Sequence, residues 1–262
     1  MNKTDIEYLT HTWNPLAMRC ARVSAGCRNC WHLAMARRLA ANPRIPKIER
    51  EAYAGGPPIL RRKELAAPLR SKRSLRIGVQ FMGDLFHESV PPEIVDGFLE
   101  VIGACPEHLF FALTKRPENM NAKIYECTAE RSIPELGGGD YFPNLWMGVS
   151  VENQETAEAR IPLLLDAWLG PKWVSVEPML GPVDIRPWLD NNRIAWVVCG
   201  GETGPGARPL DPDWARSVRD QCAGVNVPFY FKAWGGRGKG RLLDCWEHLS
   251  MPPMPAMVEG GA

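Results

Sequence analysis

Residues 145–153 read LWMGVSVEN, and the fold follows from that stretch. Leu145 to Val149 is a near-continuous apolar run, with Ser150, Glu152 and Asn153 directly behind it. A short run that is apolar at consecutive positions fits a strand covered on both faces. A helix-forming segment, 153–168, comes next. The same unit recurs in both directions. Apolar runs stand at 7–13 (EYLTHTW), 76–82 (RIGVQFM) and 109–113 (LFFAL), then at 173–176 (WVSV), 194–199 (IAWVVC) and 228–231 (PFYF). Helical segments at 31–41, 92–104, 117–126 and 211–223 lie between most of them. Strands alternating with helices specify a parallel sheet. The expected class is α/β, a full or partial (β/α) barrel of about six or seven parallel strands. It is expected as one domain over 1–250, with a disordered Pro/Gly-rich tail over 251–262. A doubly wound open sheet is the competing arrangement, but Gly-x-Gly-x-x-Gly is absent, which weakens a dinucleotide-binding version.

Composition sets the wider limits. The chain has 262 residues, 45% hydrophobic and 23% charged, which excludes collagen-like, coiled-coil and wholly disordered chains. No apolar run approaches the ~18 residues of a membrane span. Residues 1–10 carry Asp5 and Glu7 without an apolar stretch, so a cytoplasmic, membrane-free protein is expected. The net charge of +1 hides an asymmetry: residues 1–76 hold sixteen Lys and Arg against five acids, and the rest is correspondingly acidic. A basic segment of that size is either a polyanion-binding face or a partner for the acidic remainder. The Gly-rich run Arg237, Lys239, Arg241 is a phosphate contact or a solvated turn.

The strand ends carry most of the polar candidates. The second apolar run gives Gly83, Asp84 and His87, and the third gives Lys115 and Arg116. The fourth gives Ser150 and Glu152, the fifth Glu177, the sixth Gly200, Gly201 and Glu202, and the last Lys232. In barrels the chemistry sits where strands pass into the following loops. Helix caps account for Asn153 and Asp84 but not for charges abutting apolar strands. Glu177, Glu202, Cys199 and His87 are the candidate catalytic residues.

Eight cysteines are present, and three of them form one cluster, C-x6-C-x2-C, in RCARVSAGCRNCW. In a chain of this type clustered cysteines suggest metal binding rather than disulfides. Cys20, Cys27 and Cys30 suit a [4Fe–4S] cluster with one iron left open, or a Cys3His zinc site completed by His32.

THTWNPLAMRCARVSAGCRNCW, MGDLFHESVP, LTKRPENM, LWMGVSVENQ, SVEPMLGP, VVCGGETGPGARP and VPFYFKAWG, in this order, resemble a family of phage and bacterial radical-SAM-like proteins (Gp37/Gp68-type). That family is itself distantly similar to the spore photoproduct lyase branch. The resemblance covers about residues 12–234, with a first cysteine spacing longer than the usual C-x3-C-x2-C. It implies a cluster loop over 14–31 holding a [4Fe–4S] cluster on Cys20, Cys27 and Cys30, with S-adenosylmethionine (SAM) on the open iron. The SAM sulfonium would be cleaved to a 5′-deoxyadenosyl radical, with the electron from a flavodoxin- or ferredoxin-type donor. By strand order it implies Gly83 and Asp84 for the SAM ammonium and Lys115 or Arg116 for its carboxylate. Ser150 and Glu152 would take the ribose, and Gly200 and Gly201 the adenine. The implied function is modification or repair of a nucleic-acid base, DNA or RNA. The alternatives are a radical SAM enzyme on a small nucleotide, peptide or amino acid, and a zinc protein that binds nucleic acid without radical chemistry.

Overall fold

The structure is a computed structural model that describes residues 1–129, 142–167, 169–189, 193–236 and 240–254. Eight strands form one sheet: β1 Asn2–Lys3, β2 His11–Trp13, β3 Arg76–Val79, β4 Leu109–Thr114, β5 Leu145–Val151, β6 Lys172–Val176, β7 Trp196–Gly200 and β8 Phe229–Ala233. Their order across the sheet is their order in the chain. All neighbouring pairs from β2 to β8 are parallel, and only β1 runs antiparallel, against β2. This settles the competition between the two expected arrangements. A doubly wound sheet reverses its order partway, whereas here every crossover steps the same way. The winding is that of a barrel, but no ladder joins β8 to β1 among the described residues, so closure is not observed.

Crossovers that all step the same way put the helices between successive strands on one face of the sheet. Helices Pro92–Gly103, Gln154–Asp166 and Pro212–Ala223 pack there through Phe98, Ile161, Leu164 and Val218 against Ile77, Phe110, Met147, Val174 and Val197. Helix Gln154–Asp166 starts where the sequence indicates, on an Asn153 cap that accepts from the Thr156 N–H at 3.0 Å in a capping box.

Among the described residues no helix packs on the other face. Alternate residues of the strands place Phe111, Trp146, Trp173, Trp196, Val198 and Tyr230 there, with Tyr8 and Leu9 against them. The first apolar run is therefore strand only over His11–Trp13, because Tyr8 and Leu9 turn beneath the sheet to close this inner floor. Trp173 and Trp196 stack with centroids 5.3 Å apart, and Tyr8 meets Trp196 edge-on at 5.2 Å. Such aromatic pairs add about 0.5–1.5 kcal/mol each beyond their area. Gly148 makes the floor possible, since a Cβ there would run into the Trp173 indole. Part of the high tryptophan content is thus structural.

The start of the expected tail, residues 251–254, is held against the sheet. The stretch before it lies along β8: the Phe231 N–H donates to the His248 carbonyl at 2.8 Å and Trp196 Nε1 to the Ser250 carbonyl at 2.8 Å. Met251 and Met254 pack on the aromatic floor, and Arg76 donates to the Pro252 carbonyl at 3.3 Å. Apolar burial holds these residues in spite of their Pro-rich composition. Residues 255–262 lie outside the described residues. No described helix is long and apolar enough to cross a membrane.

Candidate functional site

Strand parity decides which strand-end groups can meet. Going up the inner face from Phe111 one reaches Lys115. From Trp146 one passes Gly148 and reaches Ser150 and Glu152. From Trp173 one passes Ser175 to Glu177, and from Tyr230 the next is Lys232. These groups share the rim above the aromatic floor. Lys115 Nζ donates to Ser150 Oγ at 3.0 Å and contacts Glu152 Oε1. Ser150 Oγ donates to the Glu177 carbonyl at 2.7 Å, and Lys232 Nζ to Glu177 Oε1 at 2.5 Å.

Glu152 is the centre of this group and is buried. Its Oε1 also accepts from Arg160 at 3.3 Å and from Ser24 Oγ at 2.8 Å, whereas Oε2 is buried with no partner. Burial works to raise its pKa, but Lys115 and Arg160 outweigh it, and the carboxyl is held below its ordinary value. One carboxylate thus faces two cations, which leaves positive charge for an added anion.

The cysteine loop hangs from the same strand ends. It includes a 3-10 turn, Ala25–Cys27, before helix Trp31–Ala41. Ser24 reaches Glu152, and Gly26 lies flat on that carboxylate, where a Cβ would come within 2.6 Å of Oε1. Asn29 Nδ2 donates to Glu202 Oε2 at 2.9 Å and to the Gly206 carbonyl at 2.9 Å. Arg208 pairs with both Glu202 oxygens, at 2.9 and 2.5 Å, and reaches the Ala25 carbonyl at 2.9 Å. Arg116 donates to the Ala21 carbonyl at 3.2 Å and to Cys20 Sγ at 3.5 Å. His87 Nε2 accepts from the Ala21 N–H, and His32 Nε2 from the Cys20 N–H, each at 3.2 Å.

The three cysteines therefore sit over the ends of β3, β4, β5 and β7. Their surroundings differ. Burial and nearby Asp84 push the Cys20 thiol up to about 12 in spite of Arg116. Burial also acts to raise Cys27, but hydrogen bonds from the Val23 and Ser24 backbone and the charge of Lys115 bring it below its ordinary value.

Three thiols are a donor set that a [4Fe–4S] cluster accepts. His32, expected as the fourth ligand, has Nε2 engaged by the Cys20 N–H, and burial together with Arg19 lowers it to about 4. It works as a neutral acceptor that positions the loop. The loop offers three thiols, the number that leaves one iron of a [4Fe–4S] cluster open, with the buried His32 Nδ1 beside them without a partner.

Other expected site residues have different surroundings. Asp84 is buried and fully engaged: Thr114 donates to both its oxygens at 2.9 Å, the Phe86 N–H at 3.0 Å and Arg116 at 3.2 Å. Arg116 turns to Asp84, Glu88 and the loop, away from its neighbour Lys115. Cys199 shares the parity of Val197, faces the helix-side core and points its Sγ at Met179. Burial and Arg116 lower His87, which keeps it neutral as the acceptor of Ala21. Gly200 sits beside Glu177 and Lys232, and the Gly201 N–H joins the two top loops by donating to the Ala233 carbonyl at 2.9 Å. Glu202 binds the loop through Asn29. Arg237 and Lys239 lie outside the described residues, and Arg241 pairs with Glu7 at 2.7 Å. Ser24, Asn29, Arg160 and Arg208 were not among the expected groups. The partners of Ser24 and Asn29 lie 128 and 173 positions away, so no local signal marks them, whereas Arg160 and Arg208 meet Glu152 and Glu202 only eight and six residues away.

The Glu202 fastening has a pH signature. Its hydrogen bonds from Arg208, joined by Asn29, hold it down to about 2. An unfolded glutamate titrates near ~4.3. The stabilisation is therefore complete above that value and is lost as pH falls through the folded one. Arg208→Ala should lower the Tm most near neutrality, with the gap to the parent closing toward pH ~2. Thermal melts across that range check it, and a gap independent of pH overturns it.

A family model described as "Protein of unknown function (DUF5131)" matches residues 3–252. No curated protein matches the chain. Among solved structures, a point mutant of spore photoproduct lyase aligns at 9% identity and TM-score 0.43, over 86% of this chain and 75% of the other. A spore photoproduct lyase complexed with dinucleoside spore photoproduct aligns at 10% identity and TM-score 0.40, over the same shares of 86% and 75%.

Proposed function

We propose that this chain, which belongs to the DUF5131 family, is a radical SAM enzyme with Cys20, Cys27 and Cys30 as ligands of a [4Fe–4S] cluster. The observation that carries the reading is the fastening of a three-thiol loop, through Ser24, Asn29 and Ala21, to ionisable groups at the C-terminal ends of parallel strands. When bound, the cluster and SAM supply one-electron cleavage of a sulfonium and hydrogen abstraction from the substrate.

This chain's residues bind and orient. Lys115, on the inner rim beside the doubly countered Glu152, is the cation for the SAM carboxylate. Glu152 Oε2, buried and without a partner, is the acceptor for a ribose hydroxyl, with Ser150 beside it. Asp84 holds Arg116 and the turn after β3, so the backbone carbonyls around Gly83 are the acceptors for the ammonium. The aromatic floor closes the pocket from below and keeps water from the reacting groups. A flavodoxin- or ferredoxin-type protein donates the electron.

The substrate we propose is a nucleic-acid base. Trp31, directly after Cys30, is 52% exposed, and Arg19, Arg22 and Arg28 are exposed on the same loop. An exposed indole among cations is a stacking platform for a base on a charged strand. Anaerobic reconstitution with iron and sulfide tests the enzyme class. A brown protein with about four irons, which yields 5′-deoxyadenosine from SAM and a reductant, is expected. A tight zinc that Cys27→Ala removes, with no SAM cleavage, would return the reading to a zinc protein.

A further inference from the structure

A second group of potential ligands lies at the opposite end of the sheet. Cys105, Glu107 and His108 stand in the turn that leads into β4, and one ligand atom from each lies within 4.8 Å of the other two. The turn is fixed on several sides. The His108 N–H donates to the Cys105 carbonyl at 3.1 Å, and Asn144 Nδ2 donates to the carbonyls of Ile102 and Cys105 at 3.0 and 2.9 Å.

The imidazole gives a second, independent indication. His108 is fully buried, and its Nδ1 has no hydrogen-bond partner. Its Nε2 has the Pro68 carbonyl at 3.3 Å and Glu107 Oε1 at 3.7 Å. With the Nε2 proton on that carbonyl, Nδ1 keeps a lone pair that no hydrogen-bond donor meets. A ring nitrogen left so is costly unless something meets it. A backbone carbonyl on the other nitrogen is the usual support of a metal-bound histidine. Cys105 is buried as well, while the Glu107 side chain is 36% exposed and opens the group to solvent.

We infer that Cys105, Glu107 and His108 bind a divalent transition-metal ion of the zinc class, separate from the cysteine loop. Thiolate, imidazole and carboxylate are the donors such ions select, with the fourth position left to water. Binding displaces the Cys105 thiol proton to solvent. The ion would tie the β4 turn to the Pro68 segment below the sheet.

Zinc titrated into the metal-free full chain against a chromogenic chelator is the test. One tight site is expected, weakened at least ~10-fold by Glu107→Gln and by Cys105→Ser, and retained in Cys27→Ala. Cobalt(II) in place of zinc should show a thiolate charge-transfer band that Cys105→Ser removes and Cys27→Ala keeps. Glu107 is half-buried at the surface, so its variant decides the matter if the Cys105 variant fails to fold. Parent-like binding in Glu107→Gln, or a site and band lost only with Cys27, overturns the inference.

Discussion

Alanine at any one of Cys20, Cys27 or Cys30 is expected to take the reconstituted protein from about four irons to essentially none, and to stop SAM cleavage. Each sulfur would bind a different iron, and the loop has no further thiol to replace it. Alanine at Cys105, Cys222 or Cys245 should leave the iron in place, because these positions lie in the β4 turn, the helix-side core and an exposed hairpin. Unfolding is a poor explanation for the loss. The loop is fastened to the strand ends by Ser24, Asn29, Ala21 and Ala25; of its sulfurs, Cys20 adds the Arg116 contact, and the bonds of Cys27 to Val23 and Ser24 stay within the loop. The melting temperatures of the variants without iron should therefore match the parent without iron. Iron analysis, 5′-deoxyadenosine yield and a thermal melt on each variant make the check. Three variants that still load iron and cleave SAM would remove the cluster from these cysteines.

Trp31→Ala is expected to weaken binding of single-stranded nucleic acid by roughly 5- to 150-fold, the equivalent of ~1–3 kcal/mol for one stacked base. Arg22→Gln with Arg28→Gln should act differently. On the nucleic-acid reading their guanidinium groups would meet phosphates, so affinity should fall for every sequence and the slope of log K against log salt for single strands should drop by about 1.4. Neither change touches the strand-end groups, so SAM cleavage without substrate should persist. Anisotropy of labelled DNA and RNA, single- and double-stranded, from low to physiological salt reads both effects. No binding of any of them at low salt would sink the nucleic-acid reading and leave a small-molecule substrate.

Much of this site was legible in the sequence, and the missing part has a definite cause. Consecutive apolar runs followed by charge indicate parallel strands and place the chemistry at their ends. Parity carries further. Lys115 and Arg116 are adjacent, so only one of them can face the inner rim, and Lys115 shares its face with Phe111. The same rule puts Cys199 with Val197 on the helix side. What the sequence hides is contact between distant segments. Asn29 meets Glu202 across 173 positions, and Ser24 meets Glu152 across 128. The order of strands is equally silent, since doubly wound and one-way sheets share the same local pattern. The basic region divides in a way that composition cannot show. Arg61 turns inward to the Asn14 and Pro15 carbonyls and to Glu49, whereas Arg22 and Arg28 stay exposed.

The cover over the aromatic floor bears on how the chain is made. Tyr8 and Leu9 form one side of that floor, and Ser250, Met251 and Met254 the other. A nascent polypeptide emerges N-terminus first at about 5–20 residues per second. Trp173, Trp196 and Tyr230 therefore leave the ribosome before the segment that shields them, with the unpaired side of β8 exposed next to them. During that interval the growing chain presents a sticky aromatic surface beside an open strand edge, the kind of feature chaperones hold. Ribosome-bound intermediates stalled shortly after β8 should therefore be chaperone clients, and release of the segment through Met254 should end that dependence.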